Sequence, residues 1–127
     1  MNESDFEKLV DEAIQELPED IRQKMKNVAI LVENTPSTGQ LRKVGVRYGD
    51  FLLGLYEGVP ETAWGKGFGN HLPDKITIFQ DSIERFAKTS EDIKKLVKNV
   101  VWHEIAHHFG IDDKEVRKLD QKWRKHD

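Results

Sequence analysis

The chain has 127 residues, a formal net charge of −3 at pH 7, 37% hydrophobic residues and no cysteine. That length fits one domain around a single core, and the small net charge gives no reason to expect nucleic acid or an anionic membrane as partner. Without cysteine, disulfide frameworks and thiolate metal sites are excluded, so any transition metal must rest on histidine and carboxylate.

The N-terminus is acidic and amphipathic and lacks the basic and apolar regions of a secretory signal. No apolar run approaches the roughly 20 residues needed to span a bilayer, so a cytoplasmic location is expected. Ser4 to Leu17 reads as a helix: Ser4 and Glu7 match a capping box, and Phe6, Leu9, Val10, Ala13, Ile14 and Leu17 form one apolar stripe. Pro18 then starts a short turn or second helix through about Lys26. Val28 to Val32 is an unbroken apolar run, short enough for a buried strand.

Asn34 to Tyr48 reads as a surface loop with a weak strand around Lys43 to Arg47. The basic residues Arg42, Lys43 and Arg47 could meet a substrate carboxylate but read more simply as a solvated face. Phe51 to Tyr56 is a second strand in which Gly54 marks a bulge or a close backbone approach. Glu61 to Pro73 carries Gly65, Gly67 and Gly69. It has neither the Gly-Lys-Ser/Thr of a P-loop nor the strand and helix flanking a dinucleotide fingerprint. It reads either as a rim over a cleft, lined by Trp64 or Phe68, or as an ordinary surface loop; His71 is not expected to bind metal. Lys75 to Gln80 alternates as a strand, with Ile76 and Ile78 on one face and Thr77 and Phe79 on the other.

Asp81 to Lys88 predicts a short helix packing Ile83 and Phe86. Thr89 or Ser90 caps a long helix reaching Phe109, on which Ile93, Leu96, Val97, Val100 and Val101 share a broad sector. His103, Glu104 and His107 continue that sector, which places them on its buried side. From Asp112 or Asp113 a last helix runs to about Lys125, with Val116, Leu119 and Trp123 facing inward.

The chemistry concentrates in His103 to Asp113. A helix turns about 100° per residue, so His103 and His107 lie within roughly 40° of each other, one turn apart, and can converge on one ion. Glu104 sits beside that pair rather than in line with it, free to take a proton from a metal-bound water. Gly110 is suited to end the helix in a left-handed turn. The chain can then fold back so that Asp113 supplies a third ligand and leaves the fourth position for water; Asp112, one residue earlier, is the competitor. His108, rotated about 100° from His107, is expected near the site or at the surface rather than as a ligand.

His103, Glu104, His107, Gly110 and Asp113 match H-E-x-x-H-x-x-G-x-x-D. This resembles the metzincin-type signature with aspartate replacing the third histidine, as in snapalysin-like peptidases. The wider context, Leu-Gly-Leu-Tyr-Glu-Gly-Val-Pro at 53–60 and Leu-Pro-Asp-Lys-Ile-Thr-Ile-Phe at 72–79, resembles the small bacterial zincin-like metallopeptidases. The resemblance runs from about Leu52 to Asp113. It implies a zincin-like α+β fold in one domain over residues 1–127: a small mixed β-sheet packed against an N-terminal helix and a long active-site helix. It also implies Zn²⁺ on His103, His107 and Asp113, and metalloendopeptidase activity. A peptide or protein substrate would bind along an edge strand near Lys75 to Gln80. One departure is that the only methionines, Met1 and Met25, lie far upstream of where metzincins place a methionine turn.

The mechanism expected from these residues is hydrolysis of a peptide bond by a metal-activated water, with Glu104 as general base. An aspartate ligand donates more negative charge than histidine, which predicts a weaker Lewis acid and modest or specialised activity. The alternative is a metal-containing module that binds a peptide or protein with little or no cleavage; under either reading a monomer is expected.

Overall fold

The computed structural model describes residues 1–44, 52–58 and 73–109, and within them the chain forms the elements α1 (Glu3–Gln15), α2 (Glu19–Lys24), β1 (Val28–Glu33), α3 (Thr38–Val44), β2 (Gly54–Glu57), β3 (Asp74–Phe79), α4 (Gln80–Phe86) and α5 (Ser90–His108). This is an α+β arrangement of helices and one small mixed sheet. Among the described residues no helix is long and apolar enough to cross a membrane.

The first helix begins earlier than Ser4. The Asn2 side chain accepts from the Asp5 amide at 2.8 Å, so Asn2 is the cap and Ser4 lies inside the helix. Its apolar stripe behaves as its spacing predicts: Phe6, Val10, Ala13 and Leu17 are buried, and Leu9 and Ile14 pack partly against the core. Pro18 caps α2, whose Ile21 is buried.

The sheet runs β1-β3-β2, with β1 parallel and β2 antiparallel to β3. Two expectations change here. The strand at Lys75 to Gln80, expected at the sheet edge, is β3 in the centre, paired on both sides, so no peptide can add to it. Conversely β1, read as a buried strand, is an edge among the described residues, and its Leu31 is 42% exposed. An all-apolar run marks a strand without saying that both its faces are covered.

Lys43 and Val44, where a weak strand was expected to begin, end the helix α3, and residues 45–47 of that expected strand lie outside the described residues. Ser37 and Gln40 exchange bonds at the start of α3: the Gln40 amide donates to Ser37 Oγ at 3.1 Å and the Ser37 amide to Gln40 Oε1 at 2.8 Å. That is a reciprocal capping box. Lys43 is exposed and meets Glu57 Oε2 at 3.1 Å, which ties α3 to the end of β2; Arg47 lies outside the described residues. The helix after β3 buries Ile83 but leaves Phe86 61% exposed, against the expectation that both pack.

The main core lies between α1, α5 and the sheet face carrying Ile76 and Ile78. Thr89 caps α5, its hydroxyl accepting from the Asp92 amide at 3.1 Å. A second tie is electrostatic: Lys98 of α5, only 5% exposed, donates to Glu16 Oε1 at 3.1 Å, and Lys94 reaches the same carboxylate. Residue 51, the expected rim at 61–72 with Trp64, Phe68 and His71, and the expected last helix all lie outside the described residues.

Candidate metal centre

Ile93, Val97, Val101 and Ile105 recur every fourth residue along α5 and are all buried, which fixes the rotation of the helix on the core. Relative to Ile105, His103 and His107 are turned by about 160° to either side, so they project away from the core. Both are exposed. This corrects the expectation that they continue the buried sector: the hydrophobic stripe and the histidine stripe lie on opposite sides of the helix. The helix-spacing argument itself holds, and the two rings stand together with centroids 6.4 Å apart and planes inclined at 57°.

Two imidazoles binding one tetrahedral ion at about 2.0–2.1 Å bring their centroids to about 5 Å. The observed pair is wider by roughly one ångström, within reach of a small side-chain rotation. The donor chemistry therefore fits zinc as far as these two residues go. Asp113, its rival Asp112 and the turn residue Gly110 lie outside the described residues, and among the described residues no cluster of three or more metal-binding side chains occurs.

A second stripe on α5, formed by Val100, Glu104 and His108, faces β2. The reason is a close approach: a Cβ built on Gly54 would stand 2.5 Å from Val100 Cγ1, so glycine at this position lets the helix lie against the strand. One turn on, the Tyr56 amide donates to Glu104 Oε2 at 3.3 Å. One further turn on, the His108 ring stacks on the Tyr56 ring, with centroids 3.9 Å apart and planes inclined at 15°. The Tyr56 hydroxyl donates to Asp74 Oδ2 at 2.8 Å, and His108 Nε2 is 3.7 Å from the same oxygen.

Burial pushes the Glu104 carboxyl above its ordinary range, opposed in part by the Tyr56 amide and by the nearby His107 and His103. A half-buried carboxyl that holds its proton more readily is better suited to proton transfer than a fully solvated one. Burial likewise raises the Tyr56 hydroxyl, reinforced by its bond to Asp74, so it stays protonated and acts as a donor.

Tyr56 and Asp74 were not singled out by sequence reasoning. One signal was available: Glu104 and His108 are four apart on a helix and must present a common stripe, for which an aromatic residue two positions beyond Gly54 is a natural partner.

Compared with known proteins, residues 25–123 match a family described as zincin-like metallopeptidase. No curated protein matches. Among solved structures, a conserved hypothetical protein from Thermo thermophilus is similar, with 25% sequence identity, a TM-score of 0.58, and coverage of 86% of this chain and 94% of that one.

Proposed function

We propose, from the premise that this chain belongs to the zincin-like metallopeptidase family, that it hydrolyses peptide bonds with zinc held by His103, His107 and Asp113 and with Glu104 as general base. The observation that carries this reading is the position of Glu104, a half-buried carboxyl held by the Tyr56 amide beside two imidazoles that stand together one turn apart. Zinc bound there supplies Lewis acidity and a water of lowered pKa.

The rest is done by the chain. His103 and His107 present two nitrogens from successive turns of one capped helix, so little ordering remains to be done on binding. Glu104 Oε2 is held by the Tyr56 amide, which leaves Oε1 to take the proton of the attacking water and pass it to the leaving amine. Because Phe79 N donates to Leu53 O, the hydrogen-bonded pairs of the β2–β3 ladder fall at alternate residues; Gly54 and Tyr56 then turn their main-chain groups away from β3. With β3 central, β2 is an edge beside Glu104 among the described residues, and the reading takes a peptide substrate along it through the main-chain groups that the Glu104 contact leaves open.

The test is a comparison of the wild type with Glu104→Ala by elemental analysis and a peptide-library cleavage assay. The variant is expected to retain its zinc and lose turnover by about 10²-fold or more, whereas His103→Ala and Asp113→Ala lose zinc. Equal turnover by Glu104→Ala refutes the assigned role, and zinc without cleavage in the wild type favours a binding module instead.

A further inference from the structure

We propose that Tyr56 is a positioning residue for Glu104, set in place by Asp74 and His108, a proposal that rests on Glu104 being the general base. Two side chains one turn apart on α5 grip this single residue of β2: Glu104 takes its amide and His108 covers its ring. Asp74 holds the hydroxyl from the start of β3, diagonally across the ladder, since Tyr56 is in register with Ile76. The residue is thus fixed at its amide, its ring and its phenolic oxygen by groups on two different elements.

The consequence lies at the carboxylate. A glutamate side chain has three rotatable bonds, and one hydrogen bond at 3.3 Å is the contact that selects its rotamer here. The amide can serve that purpose only while β2 keeps its distance from α5, and Val100 against Gly54 sets that distance one turn before. Downstream of Gly54 the strand is held to the helix by the Tyr56 ring stacked on His108, and the hydroxyl fixes that ring through Asp74 of β3. Releasing the hydroxyl frees the ring to swing, and the amide moves with the backbone away from Oε2. Proton transfer is sensitive to such shifts, because a misplacement of about 1 Å at a reacting group can cost about 10²-fold in rate.

The experiment uses the full chain, uniformly labelled with ¹⁵N, and reads hydrogen exchange at the residue-56 amide in the metal-free protein. Glu104→Ala is expected to speed that exchange about tenfold or more. Tyr56→Phe and Asp74→Ala should move it in the same direction, while Asp74→Asn, whose amide oxygen still accepts from the hydroxyl, stays near the wild type. In turnover, Tyr56→Phe and Asp74→Ala should each lower kcat about tenfold with KM and zinc content unchanged, and the double variant should fall no further than either single one. If Asp74→Ala fails to fold, Tyr56→Phe, which deletes one oxygen, carries the test.

Exchange at residue 56 that does not respond to Tyr56→Phe overturns the proposal. So do retained kcat, or losses that add in the double variant. A wild type that cleaves nothing defeats the peptidase reading separately, and the amide data then decide alone whether Asp74 and Tyr56 set the Glu104 contact.

Discussion

Gly54→Ala is the sharpest probe of how the helix is seated on the sheet. The new Cβ would lie 2.5 Å from Val100 Cγ1, 3.3 Å from the Thr77 carbonyl oxygen and 3.4 Å from Ile78 Cδ1. Carbon atoms pack at about 3.5–4.0 Å, so the first contact must open by at least about 1 Å. Val100 has no easy escape: a β-branched residue in a helix has one strongly preferred χ1 rotamer, and the neighbouring Val97 and Val101 are fully buried. Overpacking of this kind costs about 1–3 kcal/mol. The chain-entropy gain of replacing glycine, about 0.4–1 kcal/mol, offsets only part of that. A net loss of about 1–2 kcal/mol corresponds to a drop in Tm of about 4–8 °C for a domain of this size.

Val100→Ala alone should also destabilise, since it removes two buried methyl groups at about 0.8 kcal/mol each and leaves a cavity. In the double variant the alanine at 54 enters the space that Val100 Cγ1 vacates. The double variant should therefore be more stable than the sum of the single losses by about 1 kcal/mol or more. Thermal melts of the four proteins decide it. An unchanged Tm for Gly54→Ala, or strictly additive losses, would refute the close approach on which the placement of Glu104 depends.

Three other outcomes are expected. Lys94 and Lys98 hold the Glu16 carboxyl below its ordinary value of 4.5; a depressed folded pKa adds stability above the unfolded value and loses it as pH falls through the folded one. Urea midpoints should therefore drop below about pH 4.5, less steeply in Glu16→Gln, and an identical acid limb in both proteins would remove this pair from the account. Thr89→Ala deletes the cap of α5 and should cost about 1 kcal/mol, with Thr89→Asn retaining it; equal urea midpoints for the wild type and the alanine variant would deny the cap its role. Zinc at a hundredfold over its Kd should add about 2.7 kcal/mol to the wild type and nothing comparable to His103→Ala, and a Tm indifferent to zinc would count against metal binding at these residues.

How much of this was legible depends on how local each cause is. The pairing of His103 with His107 follows from the helical repeat alone, and so does the place of Glu104 beside them. The buried stripe of α1 and the cap at Thr89 are equally local. What failed was non-local or had two readings. Chain order gives β1, β2 and then β3, and nothing in the sequence between them says that the last strand lies in the middle. Val28 to Val32 looks buried because it is apolar, yet edge position leaves Leu31 in solvent. The helix at Thr38 was missed because it has little apolar periodicity, although Ser37 and Gln40 stand at capping-box spacing. Phe86 lies three residues from Ile83, and its exposure shows that this spacing alone does not bury a residue.

The placement of the histidines carries the largest consequence of that kind. Three of the helix's side chains per turn have separate duties, and only their phase keeps them apart. Ile105 locks the core side, Glu104 and His108 meet β2, and His103 and His107 stand clear of both. Had the histidines lain on the buried stripe, their imidazoles would have been desolvated among Val97, Val101 and Ile105, and binding an ion there would require opening the core. Exposed, they need only a small rotation to converge. Glu104 gains from the opposite circumstance, because partial burial against β2 raises its proton affinity while the Tyr56 amide restrains it. One helix thus offers two exposed imidazoles and a half-buried carboxyl from adjacent positions, as the proposed hydrolysis requires, and a shift of one residue in the core register would carry either the carboxyl or the imidazoles into the core.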